Sequence, residues 1–368
     1  MIDLYKDMGE KYFAASNTKD GFVSYFDDVF SEKYCDRIYI LKGGPGVGKS
    51  TFMKKLAKLS EEKGFGTEYF LCSSDPYSLD GIIIKEKRVA VIDGTNPHSV
   101  EPAMAGVREI IVDLGRAWDT DLLLEKKDEI TALSHQKKKY YNECYSFLYS
   151  KSVMDSLLYN LLFPYILFDK LDRSATRLVK GIFKGYGKSD GPASVKTRIT
   201  SAMSTQGRIR LSTFEDKAKM CIFIKEPFAD SRLPAHYLSA VFDYAKNIGA
   251  KIHVSFNPER KNEIDAIFFP EAEVSVSVFD EALVSYCDRI QKKCRIINTA
   301  RFVDIKGFSH LKPLRKFYSK LSENMQKMAL ESLENAGKAH AETEKIYRPC
   351  TDYGTVEKIT NEYLNKII

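Results

Sequence analysis

The 368-residue sequence has no long hydrophobic run and no C-x-x-C pair, and it contains a single tryptophan. Its most apolar stretch, residues 157–168, is about twelve residues long and includes Asn160 and Pro164, so it is too short to span a bilayer as a helix. Residues 1–7 lack the apolar core of a signal peptide. We therefore expect a cytoplasmic protein with no membrane span.

The seven cysteines are odd in number and scattered. This pattern disfavours a disulfide framework and a zinc site, and it fits a reducing compartment. The net charge of +6 comes from 56 basic and 50 acidic residues, which are largely interspersed along the chain. The aromatic residues do not recur at a regular interval that would suit stacking on bases. Nucleic-acid binding is permitted by this composition but is not indicated.

A complete phosphate-binding motif, G-x-x-x-x-G-K-[ST], is present from residue 43 onward. A predicted strand, Arg37 to Lys42, precedes it, and a predicted helix follows it until Gly64. In this context backbone N–H groups and the helix N-terminus favour a phosphate, Lys49 reaches the β/γ-phosphates, and Ser50 coordinates Mg²⁺. The sequence therefore predicts ATP and Mg²⁺ as cofactors, with a nucleotide-binding set of Gly43, Gly44, Pro45, Gly46, Val47, Gly48, Lys49, Ser50 and Thr51.

Asp93 ends an apolar strand about forty residues after Lys49, where phosphate-loop proteins place the carboxylate that orients Mg²⁺. We predict Ser50 and Asp93 as metal ligands. The next residue is Gly94, where many motor-type ATPases have a glutamate that polarises the attacking water. Fast hydrolysis by that route is therefore not expected.

A catalytic base could instead come from Asp75 or Asp80, which follow the second predicted strand, and we include Asp75 with Lys49 and Asp93 as catalytic candidates. The competing interpretation of Asp75 is an Asp-Pro turn, which Asn257-Pro258 would repeat later in the chain. Asp80-Gly81 is expected to form a turn. His98 could contact substrate, although a solvated loop histidine is the competing interpretation.

The second half of the chain repeats the order of the first. Cys221 to Lys225 corresponds to the strand before the motif, and a helix capped by Gly249 corresponds to the one capped by Gly64. This predicts a phosphate-loop domain at 1–185, a linker at 186–200 and a similar domain at 201–368, each an αβα sandwich of three layers. Residues 121–162 are predicted to form a helical hairpin extension.

The two halves differ where the phosphate loop should be. Residues 226–233 contain no glycine, and Lys49 corresponds to Arg232 or Pro234. Glu226 and Asp230 would repel a phosphate there, so we predict one nucleotide site per chain. Gly187-Lys188-Ser189 resembles a second loop, but Ile182 stands where the motif requires glycine.

Three segments together resemble an uncharacterised family of bacterial tandem P-loop ATPases: residues 41–51, residues 72–81 and residues 91–98. The resemblance implies an ATPase fold with a phosphate loop in each half, and it implies no particular substrate. The degenerate second loop is a departure from that pattern.

These features support three hypotheses. The first is a Mg²⁺-dependent ATP-binding protein that acts as a slow ATPase or switch, with a protein partner possible. The second is a small-molecule or nucleotide kinase, because nucleoside monophosphate kinases use the same form of loop, although no arginine lid is recognisable. The third is a scaffold that binds nucleotide without turnover.

Overall fold

The computed structural model describes residues 9–97, 99–185, 191–226, 228 and 232–368. The chain is an α/β protein. In the first half the elements are β1 (Glu10–Phe13), β2 (Ala15–Thr18), β3 (Gly21–Ser24), α1 (Phe26–Val29), β4 (Arg37–Lys42), α2 (Lys49–Glu62), β5 (Thr67–Leu71), β6 (Leu79–Ile84), β7 (Val89–Asp93), β8 (Glu109–Asp113), α3 (Thr120–Glu125), α4 (Lys127–Leu162) and α5 (Phe168–Ile182).

The second half follows the same order, with one additional helix, α8, between its last two strands. Its elements are β9 (Ser194–Thr197), β10 (Ser201–Ser204), β11 (Gly207–Arg210), α6 (Thr213–Lys217), β12 (Met220–Lys225), α7 (Leu233–Asn247), β13 (Lys251–Phe256), β14 (Ile264–Phe269), β15 (Val274–Val278), α8 (Glu281–Arg289), β16 (Lys293–Asn298), α9 (Ile305–Phe308), α10 (Lys312–Tyr347) and α11 (Tyr353–Ile367).

Two mixed six-stranded sheets organise these elements, and their strand orders match. The first sheet has the order β1-β5-β6-β7-β4-β8, and the second has β9-β13-β14-β15-β12-β16. In each sheet one strand, β6 or β14, is antiparallel to both of its neighbours, while the other neighbouring pairs are parallel. Each half also has a separate two-stranded hairpin, β2–β3 or β10–β11.

The Asp80-Gly81 pair lies inside strand β6, so the turn predicted there is wrong. Gly81 pairs with Ile92 across the sheet. A β-carbon on Gly81 would lie 2.6 Å from Cζ of Phe30. Glycine stands in this strand because the phenyl ring packs directly against its backbone.

The predicted helical hairpin is also wrong, because α4 is a single helix of 36 residues. Its partner is α10 from the other half, which has the same length. Near one end of the pair, Ser322 of α10 donates a hydrogen bond to Asp155 of α4, and a buried cluster joins their middles: Cys144, Leu148, Ala329 and Leu333. The helices are antiparallel, since Asp155 is late in α4 and Ser322 is early in α10.

The chain crosses from one half to the other after each of these long helices. Backbone N–H groups of Asp119 and Asp352 donate to the carbonyls of Cys350 and Ala117, both at 2.8 Å. The same arrangement recurs on the other side, where Leu167 donates to Phe302 at 2.8 Å and Asp304 donates to Tyr165 at 2.9 Å.

The crossing exchanges the last helix of each half. In α11, Val356, Ile359 and Ile367 are buried in the hydrophobic cluster of the first sheet, and the ring of Tyr363 lies 5.8 Å from that of Tyr39 in β4. Helix α5 packs instead with α7 and the second sheet, through Leu171, Ala175, Leu178 and Val179.

Side chains of the second half also pack against the first sheet. Phe223 of β12 and Phe268 of β14 belong to the same hydrophobic cluster as the first sheet. Arg198, which is fully buried, pairs with Glu68 of β5 at 2.6 Å. The sheets therefore share one core region rather than each forming a closed three-layer sandwich.

The predicted linker, 186–200, contains strand β9, which pairs with β13. Residues 186–190, and with them Gly187-Lys188-Ser189, lie outside the described residues. No helix in the described part of the chain is long and apolar enough to cross a membrane.

Because the halves exchange helices, we expect that neither folds alone when the chain is cut between Gly185 and Tyr186. A fragment of residues 1–185 lacks α11, so the surface that α11 covers would be exposed, and Glu68 would lose Arg198. Circular dichroism and limited proteolysis should show an unstable fragment. Co-expression with residues 186–368 should restore a protease-resistant complex. A separately expressed 1–185 fragment that unfolds cooperatively would contradict this account.

Candidate functional site

The glycine loop, residues 43–48, connects β4 to α2 at the carboxyl edge of the first sheet. Gly46 and Gly48 have φ angles of 72° and 100°, in the left-handed region that favours glycine. Gly48 is the residue that caps α2, so the helix begins at Lys49. The predicted strand, loop and helix are therefore present in that order, with backbone N–H groups at the helix start that have no carbonyl partner within the helix.

Lys49 folds back over this loop. Its ammonium group donates hydrogen bonds to the carbonyls of Gly43 at 2.7 Å and Gly44 at 2.9 Å. It also lies 3.6 Å from the Asp93 carboxylate. The lysine thus joins the loop to the end of the neighbouring strand.

Asp93 reaches this position because β7 pairs in parallel with β4, opposite Leu41. Its Oδ1 accepts hydrogen bonds from the backbone N–H and the hydroxyl of Thr95, at 2.9 and 2.5 Å. Burial raises the pKa of Asp93, and the charge of Lys49 opposes that rise. The second carboxylate oxygen faces Lys49.

Ser50 lies in the first turn of α2, where its hydroxyl oxygen accepts a hydrogen bond from the N–H of Leu79 at 3.2 Å. Thr51 is exposed. Asp80 follows Leu79 and is buried. The register of β6 and β7 pairs the next residue, Gly81, with Ile92, the residue before Asp93.

Gly94, directly after Asp93, has no room for a side chain. A β-carbon there would lie 2.2 Å from Cγ2 of Ile40, and its N–H donates to the carbonyl of Leu41. The position is closed to glutamate by packing.

Asp75 uses both carboxylate oxygens inside its own turn. Oδ1 accepts from the N–H of Tyr77 at 3.2 Å, and Oδ2 accepts from the hydroxyl of Ser78 at 2.7 Å. These are the bonds expected of an Asp-Pro turn, the competing interpretation of this residue.

The second half does not repeat this aspartate, and the proposed match with Asn257-Pro258 is wrong by three residues. The N–H of Ser78 donates to the carbonyl of Asp75, and the N–H of Glu263 donates to that of Arg260 in the equivalent turn. Arg260 therefore occupies the place of Asp75.

A segment from the far end of the chain contacts the glycine loop, and no motif or local pattern in the sequence predicts this contact. β-Carbons placed on Gly44 and Gly46 would lie 3.2 Å from Tyr347 and 3.4 Å from Arg348. The hydroxyl of Tyr353 donates to the carbonyl of Gly46 at 3.0 Å. These contacts depend on the exchanged helices, which no local pattern reveals.

Trp118 completes this wall from the first half. Its ring would lie 3.0 Å from a β-carbon on Gly44, and it packs against Tyr347 with ring centroids 5.8 Å apart. As the single tryptophan of the chain, it is a natural fluorescence reporter for this loop.

Helix α10 adds a histidine to the same region. Burial lowers the pKa of His340, Lys137 of α4 lowers it further, and Glu344 and Asp75 act in the opposite direction. The charge of Lys49 also lowers the pKa of His340. The long helix pair therefore brings charged groups close to the glycine loop.

In the second half, the residue equivalent to Gly48 is Arg232. It caps α7 with a left-handed φ of 52°. Leu233 then begins the helix and is fully buried, so it is Leu233, and not Arg232 or Pro234, that takes the place of Lys49. Residues 227 and 229–231, including Asp230, lie outside the described residues.

An ion-pair network lies beside this second helix start. Lys151 pairs with Asp155 at 2.8 Å and with Glu259 at 2.9 Å, and Arg260 lies 3.3 Å from Asp155. Charged groups of α4 and of the second half are thus paired with one another beside the start of α7.

Two further predictions concern His98 and the metal ligands. His98 lies outside the described residues. The described residues hold no group of three or more His, Cys, Asp or Glu side chains suited to a metal ion. Ser50 and Asp93 would need oxygen ligands from elsewhere to complete a magnesium shell.

Comparison with protein-family models, with curated proteins and with solved structures gives no match to this chain.

We expect Gly94→Ala to destabilise the protein, because the new methyl group would collide with Ile40. Overpacking of this kind lowers the free energy of unfolding by about 1–3 kcal/mol. Chemical denaturation should show the loss. The matched control is Gly181→Ala in α5, where a β-carbon would meet nothing within 4 Å, and which should leave stability equal or slightly higher. Equal stability of Gly94→Ala and wild type would contradict the packing described here.

Proposed function

We propose that this chain is a Mg²⁺-dependent ATP-binding protein that acts as a slow ATPase or nucleotide switch. The observation that carries the proposal is the position of Lys49. It begins a helix behind a left-handed glycine loop and lies 3.6 Å from a carboxylate at the end of the adjacent strand. Phosphate-loop proteins use this combination to hold a nucleotide triphosphate.

Each residue has a distinct role in this proposal. The N–H groups from Gly46 to Thr51 donate to the phosphates, and Lys49 exchanges the carbonyls of Gly43 and Gly44 for β/γ-phosphate oxygens. The Ser50 hydroxyl and the Asp93 carboxylate are hard oxygen ligands of the kind Mg²⁺ prefers. Bound Mg²⁺ would offset charge on the phosphates and polarise the γ-phosphoryl group.

The chain's own residues favour slow turnover. Glutamate cannot occupy position 94, and the carboxylate of Asp75 is engaged in its turn. A water molecule beside the γ-phosphate would therefore lack a ready base until a partner or a rearrangement supplies one. A switch that holds ATP and releases it under control fits this arrangement.

We infer that the two halves arose by tandem duplication and that only the first binds nucleotide. The matching strand orders and the paired crossings support the duplication. At the second helix start, Leu233 replaces the lysine and cannot neutralise a phosphate. The second half then serves to build and regulate the first site.

Mg-ATP titration of the whole chain should show one nucleotide per chain, and Lys49→Ala should weaken binding at least tenfold, because it removes the cation that contacts the β/γ-phosphates. Calorimetry gives the stoichiometry, and quenching of Trp118 gives an independent readout of the loop. The matched control is Lys58→Ala, a lysine on the same helix with 81% of its side chain exposed. Two nucleotides per chain, or unchanged affinity in Lys49→Ala, would contradict the proposal.

Phosphate release by the purified chain should be slow, well below the hundreds per second of fast enzymes. Measuring release with and without candidate small-molecule acceptors tests the other two hypotheses. Phosphorylation of an acceptor, with ADP formed and no matching release of free phosphate, would identify a kinase. Tight binding with no release would identify a scaffold.

A further inference from the structure

The junction between α10 and α11 brings a cationic side chain from the second half onto the glycine loop. Arg348 begins this junction. Its Cγ lies 3.4 Å from the position of a β-carbon on Gly46. About two thirds of the side chain is solvent-exposed, at 63%, so the guanidinium group is accessible to a ligand on the loop.

The guanidinium group is held at the loop by Glu344. Its Nη2 donates to Glu344 at 3.1 Å. That bond uses one of the five N–H groups of an arginine, and the planar fork can bind phosphate oxygens through others. Glu344 therefore restricts Arg348 to the region of Gly46 without removing its capacity for a phosphate.

The spacing on α10 extends this contact toward Lys49. His340, Glu344 and Arg348 follow one another at intervals of four residues, so they lie on one face of the helix. Tyr347, next to Arg348 in the chain, lies 3.2 Å from the position of a β-carbon on Gly44, and the carbonyl of Gly44 accepts a hydrogen bond from Lys49. The face that carries Arg348 thus borders both the loop tip and the lysine expected at the β/γ-phosphates.

The other half provides an internal comparison. α4 and α10 have the same length, and Phe163 begins the turn after α4 as Arg348 begins the turn after α10. Tyr159 lies four residues before Phe163, as Glu344 lies four residues before Arg348, so Tyr159 takes the place of Glu344. The charged pair therefore lies beside the half with a complete phosphate motif, and aromatic residues lie beside the half without one.

We propose that Arg348, supplied by the second half, binds the γ-phosphate of a nucleotide held in the first half, and that Glu344 positions it. This inference rests on the nucleotide-binding function proposed above. It makes the crossing of the chain part of the site, because the second half completes the charge that the ligand requires. It also gives the chain a means of distinguishing ATP from ADP.

Calorimetric titration with Mg-ADP and with a slowly hydrolysed Mg-ATP analogue tests the inference. Arg348→Ala should weaken binding of the ATP analogue about tenfold and change ADP binding less than twofold, since only the analogue carries the γ-phosphate. Arg348→Lys should give an intermediate loss, because it keeps the charge and loses the bidentate geometry. The control Lys345→Ala removes a neighbouring exposed lysine that pairs with Glu342 and should leave both affinities unchanged.

Thermal unfolding of Arg348→Ala should match wild type, because the side chain is largely exposed. If Arg348→Ala leaves the ratio of ATP-analogue to ADP affinity unchanged, whether both affinities fall equally or neither falls, the inference is overturned. Titration of Lys49→Ala distinguishes an error in the role of Arg348 from an error in the proposed nucleotide binding. If wild type binds neither nucleotide, or binds equally well without Lys49, the proposed function is wrong and Arg348 has no phosphate to contact.

Discussion

Four backbone hydrogen bonds at the crossing of the halves determine where the rest of the molecule lies. The bonds of Asp119 and Asp352 fix the start of α11 beside the first sheet, and those of Leu167 and Asp304 fix α5 beside the second. Each bond satisfies a backbone group in a connection between elements, so the crossing is held by the main chain rather than by side-chain identity. As a result, residues 344–356 border a loop that is about three hundred positions away in sequence.

This geometry links the chemistry of the first half to the second. The first half contributes the glycines, Lys49, Ser50 and Asp93, and the second contributes Arg348 and Tyr353 at the same loop. The second half has a sheet of the same strand order but no glycine in residues 226–233. Near the start of α7, Arg260 of the second half and Lys151 of α4 both pair with Asp155 of α4. The second half therefore contributes to the glycine loop of the first, because α11 and the turn before it form one wall beside that loop.

The local features of the fold could be predicted from the sequence, and the long-range ones could not. The strand before Gly43, the helix from Lys49 and the strand that ends at Asp93 follow from apolar runs and glycine positions, and these predictions are confirmed. Gly81 was misassigned because a glycine forced by the ring of Phe30 looks in sequence like a turn glycine. The helical hairpin was expected where α4 is unbroken, since its charged face is equally consistent with a helix that pairs with a distant partner.

The candidate site shows the same division. Lys49 and Asp93 lie together because β4 and β7 are adjacent parallel strands, Asp93 ends β7, and the loop after β4 leads to Lys49 at the start of α2. The contacts of Tyr347, Arg348 and Tyr353 depend on which half receives α11, and amphipathic patterns do not specify that choice. The residue of the second half that is equivalent to Asp75 could be identified only from the hydrogen bonds of the two turns. The sequence alone favoured Asn257, because Asn257-Pro258 and Asp75-Pro76 both contain a proline.

The most direct test of this account is a crystal structure of the whole chain with Mg²⁺ and a slowly hydrolysed ATP analogue. The account predicts one nucleotide, with its phosphates on the N–H groups of Gly46 to Thr51, Mg²⁺ beside Ser50 and Asp93, and the guanidinium of Arg348 on the γ-phosphate. A nucleotide bound at the start of α7, or phosphates held away from the glycine loop, would contradict it.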